Sequence, residues 1–153
     1  MDYEERQWFP VWVYVLLIGA VAAYFWTTPI RGGLYEQLFA LVIPALLLLV
    51  LNLLALDTRV NRDQIEIRFG VLFPLLKKDI PISAIQETRC VSYRPMRDAG
   101  GWGYRWGRFD GEPCRFYTAH GKQGVLIITE DMWHIIGSKA PEALRDSIDA
   151  ARR

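Results

Sequence analysis

Two long stretches of this chain carry no charge, and they set its organisation. Between Arg6 and Arg31 lie 24 residues without Lys, Arg, Asp or Glu, and between Glu36 and Asp57 lie 20. A bilayer core about 30 Å thick needs about 20 apolar residues of helix rising about 1.5 Å each. Both gaps therefore predict membrane spans, at 10–30 and 37–56. Pro10 suits a first helical turn, where its missing N–H would have no partner anyway. Trp8 and Trp12 at one end of the first span, and Tyr24 and Trp26 at the other, predict interfacial aromatic belts. In the second span Pro44 predicts a kink. Asn52, roughly one turn from the end, predicts an interfacial polar residue or an interhelical hydrogen bond. The first span is expected to be retained, because the leader MDYEER is acidic where a signal peptide is basic, and the apolar run continues past Ala20–Ala22.

The segment 31–36, RGGLYE, is short enough to force a hairpin, so both termini are expected on one side. Arg31 is the only basic residue in it, whereas Arg6, Arg59, Arg62 and Arg68 flank the other ends of the spans. The positive-inside bias puts the leader 1–9 and everything after residue 56 in the cytoplasm, where Cys90 and Cys114 would be reduced thiols.

From Asp57 onward the pattern changes to short alternating runs. TRVNRDQIEIRFG reads as a hairpin around Asn61–Asp63, KKDIPISAIQETRCVSYR as two more strands, and CRFYTAHGKQGVLIITEDMWHIIGS as three more. About seven antiparallel strands are expected over 57–139. Ala140, Leu144, Ile148 and Ala151 then give 140–153 the apolar stripe of a closing helix. The predicted fold class is membrane α+β, a two-helix hairpin followed by an antiparallel sandwich or open barrel capped by a helix.

That layout has a consequence at GVLFPLL, residues 70–76. No linker separates Leu56 from the first strand, so the strand leaves the bilayer, turns at Asn61–Asp63 and brings an uncharged loop back to the lipid. Leu72, Phe73 and Leu75 are predicted to enter the interface, with Lys77 and Lys78 at the level of the phosphates.

The segment AGGWGYRWGRFDG, residues 99–111, raises a separate question. A phosphate-cradling glycine loop opens a helix, but YRWGRFDG has strand and turn chemistry. The glycines are therefore expected to let Trp102 turn into the domain while Tyr104 and Trp106 alternate along a strand. Arg89, Arg94, Arg97, Arg105, Arg108 and Arg115 fall within 27 residues that hold only Asp98, Asp110 and Glu112 as acids. Arginine with tryptophan is interface composition, so Arg94, Arg97, Arg105, Trp106 and Arg108 form a candidate partner surface. A net charge of +1 argues against nucleic acid.

No catalytic, cofactor or metal site is predicted. His120 and His134 are the only histidines, neither they nor Cys90 and Cys114 have ligand spacing, and Ser138 has no G-x-S-x-G turn around it. The cysteines are expected to be buried small hydrophobes on strands.

Taken in order, two spans, KKDIPISAI (Lys77–Ile85), GGWGYR (Gly100–Arg105), HGKQGVLIIT (His120–Thr129) and IIGSKAPEAL (Ile135–Leu144) resemble the bacterial membrane-anchored pleckstrin-homology-like proteins. Met132 stands where similar proteins place the glycine of an Asp-Gly turn. The resemblance implies the barrel-plus-helix fold and no activity. The expectation is a non-enzymatic accessory or scaffold subunit in the bacterial cytoplasmic membrane, meeting the bilayer and a protein partner or a second copy of itself. The alternative is a lipid-headgroup or small-ligand sensor, weakened because the first hairpin turn offers only Arg62.

Overall fold

The computed structural model describes residues 3–27 and 32–153. The chain runs β1 (Tyr3–Trp8), α1 (Val11–Thr27), α2 (Leu34–Leu53), β2 (Ala55–Val60), β3 (Gln64–Phe69), β4 (Leu76–Pro81), β5 (Ile85–Ser92), β6 (Gly103–Phe109), β7 (Glu112–Thr118), β8 (Gln123–Thr129), β9 (Trp133–Gly137) and α3 (Pro141–Ala151). A 3₁₀ turn, Ile82–Ala84, joins β4 to β5, and a π-helical turn, Pro95–Ala99, lies between β5 and β6. Arg31 and the end of the first predicted span lie outside the described residues.

The strands form two sheets, β1-β2-β3-β4 and β5-β8-β9-β7-β6. This is an α+β protein with two N-terminal helices, and its sheets do not close into a barrel. All pairings are antiparallel except β7 with β9. The main core lies between the sheets, where Leu56, Ile65, Ile67, Val125, Ile127 and Ile136 meet Leu144 and Ile148 of α3. A second core forms on the outer face of the five-stranded sheet, where the Pro95–Ala99 turn covers Phe116, Leu126 and Ile135 with Tyr93 and Ala99.

The largest departure from the sequence reading is β1. Residues 1–9 read as a leader, yet Tyr3–Trp8 pairs with Val60–Ala55 over its whole length. Arg6 makes two hydrogen bonds to Asp57 at 2.6 and 2.7 Å. Gln7 is fully buried and donates to the Gly137 carbonyl at 2.6 Å, tying β1 to the other sheet. The acids and bases that looked like a charged tail are cross-strand partners. The helical hairpin is thus a long insertion between two neighbouring strands.

The helices also differ from the predicted spans. Among the described residues only α2, with 20 residues and mean hydropathy 2.2, is long and apolar enough to cross a membrane. At 17 residues, α1 covers about 26 Å at the helical rise. α1 begins one residue after the start of its predicted span, and just before it Phe9 donates its N–H to the Leu54 carbonyl at 3.2 Å. α2 runs on through Pro44.

Candidate functional site

The sequence isolated Asn52 and GVLFPLL as separate features; the structure joins them. Asn52 is the penultimate residue of α2, and it is buried. Its Oδ1 accepts the N–H groups of Val71, Leu72 and Phe73 at 3.1, 2.7 and 3.2 Å, and its Nδ2 donates to the Phe73 carbonyl at 2.8 Å. The Asn52 carbonyl takes a further bond from Val71 at 3.0 Å. The partners of the Asn52 side chain are backbone groups of a distant loop and not of α1, so the interhelical hydrogen bond read as one alternative is not among them. Gly70 is required there. Its φ is +143°, and a Cβ would collide with the Phe73 carbonyl, so the chain reverses only with glycine.

The loop that results satisfies its backbone inward and turns its side chains out. Leu72 is 77% exposed, Phe73 68% and Leu75 48%. They do not fill the core; they line an apolar groove of about 690 Å³ with Trp8 at the end of β1, Tyr14 of α1 and Leu48 of α2. Tyr14 spends its hydroxyl on the Leu54 carbonyl at 2.9 Å. Of the two lysines that follow, Lys77 pairs with Asp79 at 3.1 Å, and Lys78 sits opposite Ile67 in register, on the face turned to the other sheet.

The aromatic residues divide between the two ends of the helices. Trp8 and Trp12 lie at the sheet end, and Trp26, 90% exposed, at the far end of α1. Trp102 is half-buried, with its ring 6.3 Å from that of Trp12 and 6.4 Å from His120, and it donates Nε1–H to the Gly121 carbonyl at 3.3 Å. Instead of entering the intersheet core it braces the base of α1. Gly103 follows at φ +108°, with only Phe9 within reach of an added Cβ, at 3.9 Å. Gly103→Val should therefore lower stability by about 1–3 kcal/mol through backbone strain alone. Thermal unfolding of the detergent-solubilised variant measures this, and a melt matching the parent would count against it.

The candidate partner residues do not share one face. Arg94 and Arg97 are exposed at the Pro95–Ala99 turn. On β6, Trp106 and Arg108 alternate to the intersheet side and Arg105 to the opposite side. All three are exposed because β6 is a sheet edge.

A second opening lies between the sheets, where the edge strand β4 faces β7 and β9. Two adjoining cavities of about 190 and 290 Å³ share Lys78 in their walls. Arg115 sits beside His134 in register, its guanidinium 4.1 Å over the Trp106 ring, and its buried Nε has no partner. His134 is 6% exposed and its Nδ1 lies 3.4 Å from the Tyr117 hydroxyl. Burial, then the charges of Lys78 and Arg115, push its imidazole down to about 4. Hydrophobic alternation did not reveal this cleft, because it pairs residues more than thirty positions apart in the chain. The inward register of Lys78 was the available signal.

Among the described residues no group of three or more His, Cys, Asp or Glu could hold a metal ion. Cys114 is buried and its thiol is pushed up to about 12 by that burial. Cys90, expected to be buried, is exposed on β5; its strand is an edge of the five-stranded sheet.

The molecule is thus an α+β protein in which an apolar helical hairpin interrupts a two-sheet sandwich. The family model described as "Protein of unknown function (DUF3093)" matches residues 2–106, and the chain belongs to that family. The match takes in β1, both helices, the whole four-stranded sheet and Asn52 with its loop. No curated protein and no solved structure matches the chain.

Proposed function

We propose that this protein is a non-enzymatic, membrane-anchored module of pleckstrin-homology-like design. In this reading α1 and α2 cross the cytoplasmic membrane as a hairpin, and the sandwich lies against its inner surface as an accessory or scaffold for a membrane complex. The observation that carries the reading is the Asn52-held loop. Irregular backbone is tolerated at lipid depth only when its polar groups are satisfied within the protein. Residues 71–73 meet that condition through one side chain while exposing Leu72 and Phe73. The loop lies beside the end of α2 where the chain leaves the helix. The exposed edge strand β6, with Arg105, Trp106 and Arg108, is the surface we assign to a protein partner or a second copy.

The test has two parts. Single cysteines introduced at Gly33 and at Lys139 in a Cys90→Ser background should be labelled by impermeant maleimide from opposite sides of sealed membranes. Labelling from the same side would overturn the hairpin. Phe73→Asp should shift the loop out of contact with brominated lipids, read as a loss of lipid quenching of the neighbouring Trp8 and Trp12, with the melting temperature nearly unchanged. Unaltered quenching would remove the loop from the interface.

A further inference from the structure

We infer that the cleft between β4 and β7–β9 binds a small zwitterion carrying a phosphate ester and a primary ammonium group, entering with its apolar substituent on the helix side. The inference rests on the order of chemistry along the cleft. At the helix end, Leu76 pairs with Phe69, which itself pairs with Leu56 just after α2. Leu76 and Phe69, with Ile67, Tyr104 and Tyr117, form a mainly apolar entrance of about 190 Å³ whose wall also includes Lys77 and Lys78. Next come the cations, Lys78 from β4 and Arg115 from β7. Neither has an ion-pair partner among the described residues. Beyond them, Glu130 and Asp131 of the β8–β9 turn and Asp79 of β4 line the outer cavity of about 290 Å³.

One buried polar atom in this cleft lacks a partner, the Arg115 Nε donor; the Asp79 carboxylate pairs with Lys77 on the other face of β4. Buried polar atoms of native proteins are overwhelmingly hydrogen-bonded. One unspent donor, and a cation row apart from an acid row, match a ligand that carries both charges. A phosphate oxygen fits between Lys78 and Arg115, since guanidinium and ammonium groups are the usual phosphate partners. An ammonium group then reaches Glu130 or Asp131. His134, neutral at pH 7 and bonded to Tyr117, adds no third positive charge and leaves the phosphate to the two cations. Both cavities are below the pocket sizes of about 300–1,000 Å³ that hold drug-sized ligands, so the ligand is headgroup-sized.

Such a group comes either as a soluble phosphate ester or as the head of an aminophospholipid, and only the second source rests on the membrane reading above. The experiment uses the full chain in maltoside micelles, titrated calorimetrically with phosphoethanolamine and with inorganic phosphate. We expect phosphoethanolamine to bind more tightly than phosphate. Lys78→Met should weaken both by about tenfold, the scale of one charge-assisted hydrogen bond. Asp131→Asn should weaken only phosphoethanolamine. Arg115→Lys keeps the charge and provides a second variant, checked for an unchanged melt. Nanodiscs of phosphatidylethanolamine that compete with the soluble probe, where phosphatidylglycerol nanodiscs do not, identify the lipid source; absence of competition identifies the free ester. The proposal is overturned if phosphoethanolamine does not bind, or if its binding is indifferent to both Lys78→Met and Arg115→Lys. A failure of the Phe73→Asp test with these results intact would remove the membrane contact and leave the cleft.

Discussion

Replacing Asn52 by Leu is expected to cost about 2–4 kcal/mol of stability, although the substitution makes α2 more apolar. In the parent, Leu72 and Phe73 give their N–H groups to Asn52 Oδ1, and the Phe73 carbonyl accepts from Nδ2. Val71 retains a bond to the Asn52 carbonyl at 3.0 Å, so the variant orphans two donors and one acceptor. Each such group costs about 1–3 kcal/mol when it stays buried, and less where the loop opens to water. Asn52→Asp keeps the acceptor and loses only the donation to Phe73, so its loss should be about 1 kcal/mol. Thermal and denaturant unfolding in the same detergent compares the two. Equal melts for parent and Asn52→Leu would show that the loop is held by something other than the amide.

The second large effect is a pH dependence centred on His134. The imidazole titrates at about 4 in the fold and at 6.5 as a free side chain. Its partners are Tyr117 at 3.4 Å and the charges of Lys78 on β4 and Arg115 on β7. Because the folded value is depressed, protonation favours the unfolded chain. The contribution of the neutral ring is complete above pH 6.5 and is lost as pH falls from 6.5 towards 4. Integrated over that window the loss approaches about 3 kcal/mol. His134→Gln should flatten this segment of the stability–pH curve, and Lys78→Met, by raising the folded value towards 6.5, should narrow the window from its acid end and reduce the loss. A parent curve flat between pH 6.5 and 4 would contradict the assignment.

How much of this was legible in the sequence depends on the range of each interaction. The strand hairpin around Asn61–Asp63, the amphipathic stripe of α3 and the immediate passage from α2 into a strand are local patterns, and they appear where alternation and helical spacing put them. The return of residues 70–76 to the end of α2 followed from strand arithmetic. What stayed hidden is long-range. Tyr3–Trp8 reads as polar because four of its six residues are charged or amide side chains. Their distant partners, Asp57, Arg59, Ser138, the Lys139 N–H and the Gly137 carbonyl, make those groups at home in a sheet. Trp102 was read as a core residue from its glycine neighbours, yet its contacts are Trp12, His120 and the Gly121 carbonyl. Nothing local distinguishes those destinations. The separation of Arg105 from Trp106 was available from alternation once β6 was known to be a strand; charge density along the chain had grouped them.

The insertion of the helices between β1 and β2 also bears on how the chain is made. β1 leaves the ribosome first and β2 only after both helices, so the first strand has no partner until the hairpin is complete. If the helices go into a bilayer, the two strands meet only when both ends of the hairpin finish on the same side. A chain with one helix left out, or with its ends on opposite faces, strands Tyr3–Trp8 away from Ala55–Val60. It also loses the Arg6–Asp57 and Glu4–Arg59 pairs. Its four-stranded sheet then lacks an edge, and Gln7 no longer reaches Gly137. In a bilayer-inserted chain, completion of the sheet would therefore depend on the threading of the helices, and a wrongly threaded chain would keep an unpaired edge strand.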